Sequence, residues 1–182
     1  MPPTIHLVRH AQGIHNVSVD NEHIRDPNLT PLGREQCASL RSTFPHHAQL
    51  TGLISSPLRR TIQTCVDSFG QDALYPITLI DVLQEVSDAP CDTGSSAEAL
   101  GQEFGGKVDA QRVREAWTDK KSDGSPFQPT LDKLISRARE ARRALREVAT
   151  QEDGHYVATS HGGLLHFLTD DWHGIPSGSG ES

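Results

Sequence analysis

The stretch Ile5-His6-Leu7-Val8-Arg9-His10-Ala11-Gln12-Gly13-Ile14-His15-Asn16 decides how this chain is read. Its first four residues have the length and β-branched content of a buried strand, and Gly13 breaks whatever follows. Arg9 and His10 therefore stand where a strand ends and a loop begins. In open α/β sheets, ligands bind at that carboxyl end of the strands. Imidazole is nucleophilic near neutral pH, and a guanidinium offers an anion a planar fork of donors. Such a pair can hold a phosphoryl group and attack it. The competing reading makes His10 a simple strand cap, and what the other strand ends carry decides between the two.

The bulk numbers narrow the field. The 182 residues suit one domain with a sizeable core, and 35% apolar with 23% charged residues is ordinary for a globular protein. A net charge of -7 argues against nucleic acid or an anionic membrane as the main partner. Any anion site must then be locally basic. Cys37, Cys65 and Cys91 are widely spaced and odd in number, which excludes a disulfide framework or a cysteine metal knuckle. No apolar run reaches the length of a membrane span, and Met1-Pro2-Pro3-Thr4 has no secretory character. A cytoplasmic protein is expected.

Outward from the opening stretch, Thr30 and Pro31 read as N-cap and first residue of a helix ending at Pro45, with Leu32, Cys37, Leu40 and Phe44 as its apolar stripe. His46 and His47 read as exposed polar residues of the next connection rather than ligands. Leu53-Ile54-Ser55-Ser56 is a second buried strand, and Leu58 to Val66 the helix that follows it. Two strand–helix units in succession predict a three-layer α/β/α sandwich around a mostly parallel sheet. Ile77 to Ile80 is a third strand, with Glu85 close behind. Residues 87–125 read as a loop-rich excursion with short helices over 97–104 and 109–118, the kind of segment that forms lids or binding loops. Leu131 to Val148 is an amphipathic helix, whose arginines 137, 139, 142, 143 and 146 read mostly as a solvated face pairing in part with Glu140 and Glu147. Tyr156 to Thr159 is a fourth strand ending in Ser160-His161-Gly162-Gly163, before a helix over 164–169. The Gly/Ser-rich residues 174–182 are expected to be disordered.

Three strand ends thus carry chemistry: Arg9-His10, Ser55-Ser56 leading to Arg60, and His161-Gly162, with Glu85 behind a fourth. In a parallel sheet these ends lie along one edge. Two histidines and two arginines suit a dianion, helix N-termini would add backbone donors, and Glu85 is the available acid for a leaving alkoxide.

With these residues assembled, the chain resembles the histidine phosphatase superfamily, of phosphoglycerate-mutase-like fold. The resemblance rests on Arg9-His10-Ala11 with Asn16, Ser56-Pro57-Leu58 with Arg60 and Thr64, Glu85, and Ser160-His161-Gly162, in the family's order over residues 4–171. It implies His10 as phosphohistidine; Arg9, Arg60 and His161 on the phosphoryl group; Asn16, Gln12 and Gly162 as further substrate-binding positions; and Glu85 as proton donor. Residues 172–182 are then a flexible or truncated tail. Ala11 stands where glycine is commonest, tolerable if its φ is negative. Asp88 is a second carboxylate that could share the acid role. The implied substrate is a small phosphorylated molecule, with no cofactor, no metal, no nucleic acid and no membrane partner, and a homodimer is compatible.

Rival readings differ in what they need. A metal site from His10, His15, His161 and His166 fails because i+5 spacings do not share a helix face. A binding module that has lost catalysis would be expected to lack a histidine or an arginine that this chain keeps. A cofactor-dependent mutase is the nearest alternative. In such mutases cations directly follow the acid, whereas Val86-Ser87-Asp88-Ala89 follows Glu85 here, with Asp92 close behind.

Overall fold

A computed structural model describes residues 1–173. Residues 174–182, expected to be disordered, lie outside the described residues. Five strands, β1 (Thr4–Arg9), β2 (Leu50–Ser55), β3 (Ile77–Ile80), β4 (Val108–Arg112) and β5 (His155–Ser160), form one sheet in the order β1-β5-β2-β3-β4. Every pairing is parallel. Five α-helices accompany them: α1 (Pro31–Thr43), α2 (Arg59–Phe69), α3 (Ala97–Phe104), α4 (Leu131–Val148) and α5 (Gly162–Thr169). α1 packs on α2, and α4 packs on α5. The last five residues of β5 are all buried, as a strand covered on both faces must be. Ile54, Ile62, Phe69, Ile77, Leu79, Val157 and Leu164 fill the space between sheet and helices. The expected three-layer α/β/α arrangement is what forms. Among the described residues no helix is long and apolar enough to cross a membrane.

One topological fact positions the site. The last strand, β5, inserts between β1 and β2, so Arg9 pairs with Ser160 and Ser55 with Thr159. The ladder runs one residue further on each side: His10 N–H donates to the Ser160 carbonyl at 3.0 Å, and Ser56 N–H to the Thr159 carbonyl at 2.9 Å. His10, Ser56 and His161 thus leave the sheet side by side. Here the order of strands along the sheet reverses as β5 returns between β1 and β2, and a crevice opens at such a switch point.

Several sequence expectations need correction. The fifth strand was not foreseen: residues 108–112 are β4, where a helix over 109–118 was expected, and turns occupy 115–118. In Val108-Asp109-Ala110-Gln111-Arg112 only Val108 and Ala110 are apolar, a weak strand signal that suits an edge strand with its last two residues exposed. The helix over 97–104 is present. In α1, Thr30 Oγ1 accepts the Gly33 N–H as predicted for an N-cap, yet Leu32 is exposed rather than part of the buried stripe. In α4, Leu131 and Ile135 face out, and Arg137 is buried beside Leu134, Ala138, Ala141 and Leu145. Glu140 and Glu147 pair not with helix arginines but with Arg114 and Arg112. His46 and His47 are half-buried, not exposed.

The 87–125 excursion is anchored tightly. Trp117 and Phe127 are buried, and a Cβ on Gly94 would stand 2.0 Å from the Trp117 ring. Asp26, in a left-handed conformation (φ 45°), accepts hydrogen bonds from Arg59 N–H and from both the N–H and Oγ of Ser95. This single carboxylate staples the 17–28 loop to the start of α2 and to the excursion.

Candidate active site

The loop after β1 is held by backbone rather than by apolar packing. Ala11 N–H donates to Thr64 Oγ1 at 3.1 Å, and Gln12 N–H to Gln36 Oε1 at 2.9 Å. Thr30 N–H and Oγ1 both reach the Gln12 carbonyl, and Thr30 Oγ1 reaches Gln12 Oε1 at 2.7 Å. The closeness explains Gly33: a Cβ there would sit 2.2 Å from the Gln12 carbonyl oxygen. Ala11 has no positive φ, so the methyl in place of glycine carries no backbone strain.

His10 and His161 are buried at the end of the sheet, with ring centroids 5.1 Å apart. His10 Nδ1 donates to the Ala11 carbonyl at 2.7 Å, and its Nε2 accepts from Arg60 Nε at 3.2 Å. The tautomer is therefore set, with the lone pair on Nε2. His161 Nδ1 accepts from Arg60 Nη2 at 3.1 Å, and its Nε2 donates to Ser56 Oγ at 2.9 Å. Burial, followed by the Arg60 charge, pushes the His10 pKa down to about 3 and places His161 well below the usual imidazole range. Both rings are neutral at neutral pH.

Arg60 is the hub. Thr61 Oγ1 bonds the carbonyls of Ser56 and Leu58, shaping the turn that delivers Arg60 in the first turn of α2. Its fully buried guanidinium also donates to the Cys91 carbonyl (Nη1, 2.7 Å) and to Asp92 Oδ1 (Nη2, 2.7 Å). Asp92 Oδ2 in turn accepts from Ser87 Oγ at 2.5 Å. Asp92 is thus Arg60's counter-ion rather than a free charge facing the cavity.

Glu85 faces this cluster from the opposite wall. Its Oε1 accepts from Val86 N–H (2.9 Å) and Leu164 N–H (3.1 Å), and Oε2 from Gly163 N–H at 3.3 Å. The carboxylate therefore sits on the N-terminus of α5, a favoured place for negative charge. A Cβ on Gly163 would lie 2.5 Å from Glu85 Oε1. Gly162 has a different duty: a Cβ there would approach Arg9 Nε to 3.3 Å, so its absence lets the exposed Arg9 lie across the helix start.

A cavity of about 400 Å³ lies over these groups, lined by Arg9, His10, Asn16 and Glu85 and rimmed by Glu22 and Asp88. A second opening of about 420 Å³ is lined by Arg9, His10, Gln12, Asn16 and Gln36. Asn16 Oδ1 accepts the Gly13 N–H at 3.0 Å, which closes the loop around His10. All the predicted site residues therefore converge on this sheet edge, except that Arg60 and His161 lie beneath the cavity floor.

Sequence reasoning missed three residues that support the site. Lys120, from the excursion, is buried with Nζ donating to the carbonyls of Glu85 (3.0 Å) and Ser87 (2.7 Å). Burial, with the Arg137 charge next, pushes its pKa down to about 7. Arg137 Nη2 reaches the same Glu85 carbonyl at 3.3 Å, and burial brings its pKa to about 10. His15 stands 5.5 Å from His10, ring centre to ring centre, in the cavity wall. Only His15 carried a signal in its spacing from His10; Lys120 and Arg137 are reached through tertiary folding alone.

Known proteins supply an independent comparison. A "Phosphoglycerate mutase-like protein" of Arabidopsis thaliana is 49% identical over 78 residues, which is 37% of this chain and 28% of the relative. A "Probable phosphatase" of Schizosaccharomyces pombe is 32% identical over 108 residues, 57% of this chain and 50% of that protein. The matched stretches therefore span half or less of these relatives' length. Among solved structures, a candidate alpha-ribazole-5'-P phosphatase of Escherichia coli superposes with a TM-score of 0.61 at 22% identity, covering 94% of this chain and 80% of that one. The sequence profile of the histidine phosphatase superfamily (branch 1) matches residues 5–182. This chain belongs to that superfamily.

Proposed function

We propose that the protein is a phosphatase that hydrolyses a phosphomonoester or diphosphate of a small molecule through a phosphohistidine on His10. The observation that carries this reading is the His10 imidazole: neutral, with its lone pair on Nε2 and its other nitrogen tied to the Ala11 carbonyl. In the first step Nε2 attacks phosphorus, the bond from phosphorus to the leaving oxygen breaks, and Glu85 gives that oxygen a proton. Oε2, which takes only one long backbone bond, is the oxygen with capacity for that proton. In the second step water attacks phosphorus, Glu85 takes the water's proton, and the N–P bond breaks to return neutral His10. Arg9 and Arg60 supply positive charge beside the phosphoryl group, neutral His161 holds Arg60 next to His10, and Asn16 and Gln12 frame it.

Hydrolysis rather than mutase transfer fits the rim. A mutase must hold a second anionic group, yet beyond Arg9 the cavity presents the carboxylates of Glu22, Glu85 and Asp88. Lys120 and Arg137 are directed at backbone carbonyls and are buried beneath the rim. The test is a screen of phosphorylated metabolites and p-nitrophenyl phosphate for phosphate release, with acid-labile phosphoprotein trapped after rapid quenching. His10→Ala should lower turnover by several orders of magnitude and abolish the trapped species while retaining the fold. Near-normal turnover by that variant, or efficient interconversion of 3- and 2-phosphoglycerate only after a bisphosphate primer is added, would overturn the proposal.

A further inference from the structure

At the opposite end of the sheet three histidines from three separate segments meet. His6 lies in β1, His155 opens β5, and His46 belongs to the connection between α1 and β2. One ring nitrogen from each lies within 4.8 Å of the others, and all three side chains are half-buried. His6 Nε2 and His155 Nδ1 face each other at 2.9 Å, with ring centroids 5.2 Å apart and planes inclined by 19°. His46 stands over both, 5.1 Å from His6 and 4.7 Å from His155 between centroids. We propose that His6, His46 and His155 form a binding site for a borderline divalent transition-metal ion, with zinc as its representative.

The donor set selects the class of ion. Three imidazoles without thiolate or carboxylate suit Zn²⁺, Co²⁺, Ni²⁺ or Cu²⁺ and disfavour the oxygen-seeking Mg²⁺ and Ca²⁺. Zn–N bonds of about 2.05 Å in a tetrahedron place ligand nitrogens roughly 3.3 Å apart. The His6–His155 nitrogens need to open by only about half an ångström from their hydrogen-bonded separation to reach that spacing. The ion replaces the proton that these two nitrogens share, each ring then carrying its own proton on the outer nitrogen. Gln49 Oε1 accepts from His46 Nδ1 at 2.6 Å, which leaves the His46 lone pair on Nε2 and supplies the outer hydrogen bond that bound histidines use. Phe44 packs edge-on against both His6 and His46 and walls one side of the cluster.

The consequence is structural. The ion would tie the edge strand β1 to β5 and to the α1–β2 connection, far from the catalytic end of the same strands. Binding to the folded state alone stabilises it in proportion to the logarithm of metal concentration over the dissociation constant. The test uses the full chain after chelator treatment, titrated with Zn²⁺ by calorimetry and with Co²⁺ by visible absorption. One equivalent of Zn²⁺ should bind at micromolar or lower dissociation constant, Co²⁺ should give the intense bands of four-coordinate geometry, and the melting temperature should rise. His46→Ala and His155→Ala, each verified by circular dichroism, should weaken binding at least tenfold and lose the thermal shift. His46 lies outside the strands, so its variant retains the fold even if His155→Ala does not. His10→Ala should bind zinc as the unaltered chain does. Absence of stoichiometric binding, or undiminished binding in His46→Ala, or loss of binding in His10→Ala, would overturn the proposal.

Discussion

At the scale of single residues, the site turns on how two carboxylates are used. Glu85 is held by three backbone N–H groups, whereas Asp88, the alternative acid weighed from the sequence, is exposed at the cavity rim. Glu85→Gln keeps the size and loses the proton donor. Its turnover should fall by a factor of about a hundred or more on alkyl phosphates, the usual contribution of general acid catalysis. On p-nitrophenyl phosphate, whose leaving group scarcely needs a proton, the loss should be much smaller. Equal losses on both substrates would remove Glu85 from the acid role and turn attention to Asp88. Asp92 acts differently, through Arg60. Its carboxylate is the countercharge of a guanidinium with no solvent exposure. Asp92→Ala leaves that charge uncompensated and should cost about 3 kcal/mol of stability, the range found when one member of a buried ion pair is removed. Denaturant unfolding measures it. A loss under about 0.5 kcal/mol, the scale of an exposed pair, would show that solvent screens Arg60 after all.

At the scale of elements, the β1–α1 junction is a close backbone-on-backbone contact. Gly33 sits in the first turn of α1 with the Gln12 carbonyl where its Cβ would be. Gly33→Ala must push the two segments apart by an ångström or more. The expected cost is about 1–3 kcal/mol of overpacking, with a raised KM because Gln12 and Asn16 move together. Kinetics indistinguishable from the unaltered enzyme would show that the loop placement is not shared with the site. The helix start was legible in advance from Thr30-Pro31, but the close approach of Gly33 to Gln12 shows only in the folded chain. Likewise β1, β2, β3 and β5 declare themselves as short apolar runs followed by turn residues or glycine. What was not legible shares one physical cause. The β4 edge strand, the buried Arg137 and the buried Lys120 take their roles from tertiary contacts that their own neighbourhoods do not encode. Arg137 belongs to a helix in which Arg139, Arg143 and Arg146 are exposed, and Lys120 to a loop without periodicity. Only the folded chain shows that both reach the Glu85 carbonyl. The half-burial of His46 was hidden for the same reason, since the rings it packs against lie on β1 and β5.

At the scale of the whole molecule, the cost of building a neutral histidine cluster against a buried arginine becomes a pH dependence of stability. The His10 pKa is about 3 and that of His15 about 4, both from burial first and Arg60 next, and His161 lies well below 6.5 for the same reasons. Each folded-state value is below that of the unfolded chain, near 6.5. Between the two values the unfolded chain therefore binds more protons than the folded one. The histidine contribution to stability is complete above about pH 6.5 and is lost as the pH drops toward 4, as linkage requires. The buried carboxyl of Asp26, whose pKa is raised by burial, works in the opposite sense and only at the acid end. The melting temperature should accordingly decline steeply between pH 6.5 and 4.5, before most carboxylates titrate. His10→Asn removes one of the three imidazoles without touching Arg60, so its melting temperature should fall by less over that interval. Differential scanning calorimetry of both proteins at half-unit pH steps compares the slopes directly. Parallel curves would mean that His10 is protonated as readily in the folded protein as in the unfolded chain. The lone pair on which the proposed phosphoryl transfer depends would then not be protected by burial, and the neutral imidazole would have to be explained by the substrate instead.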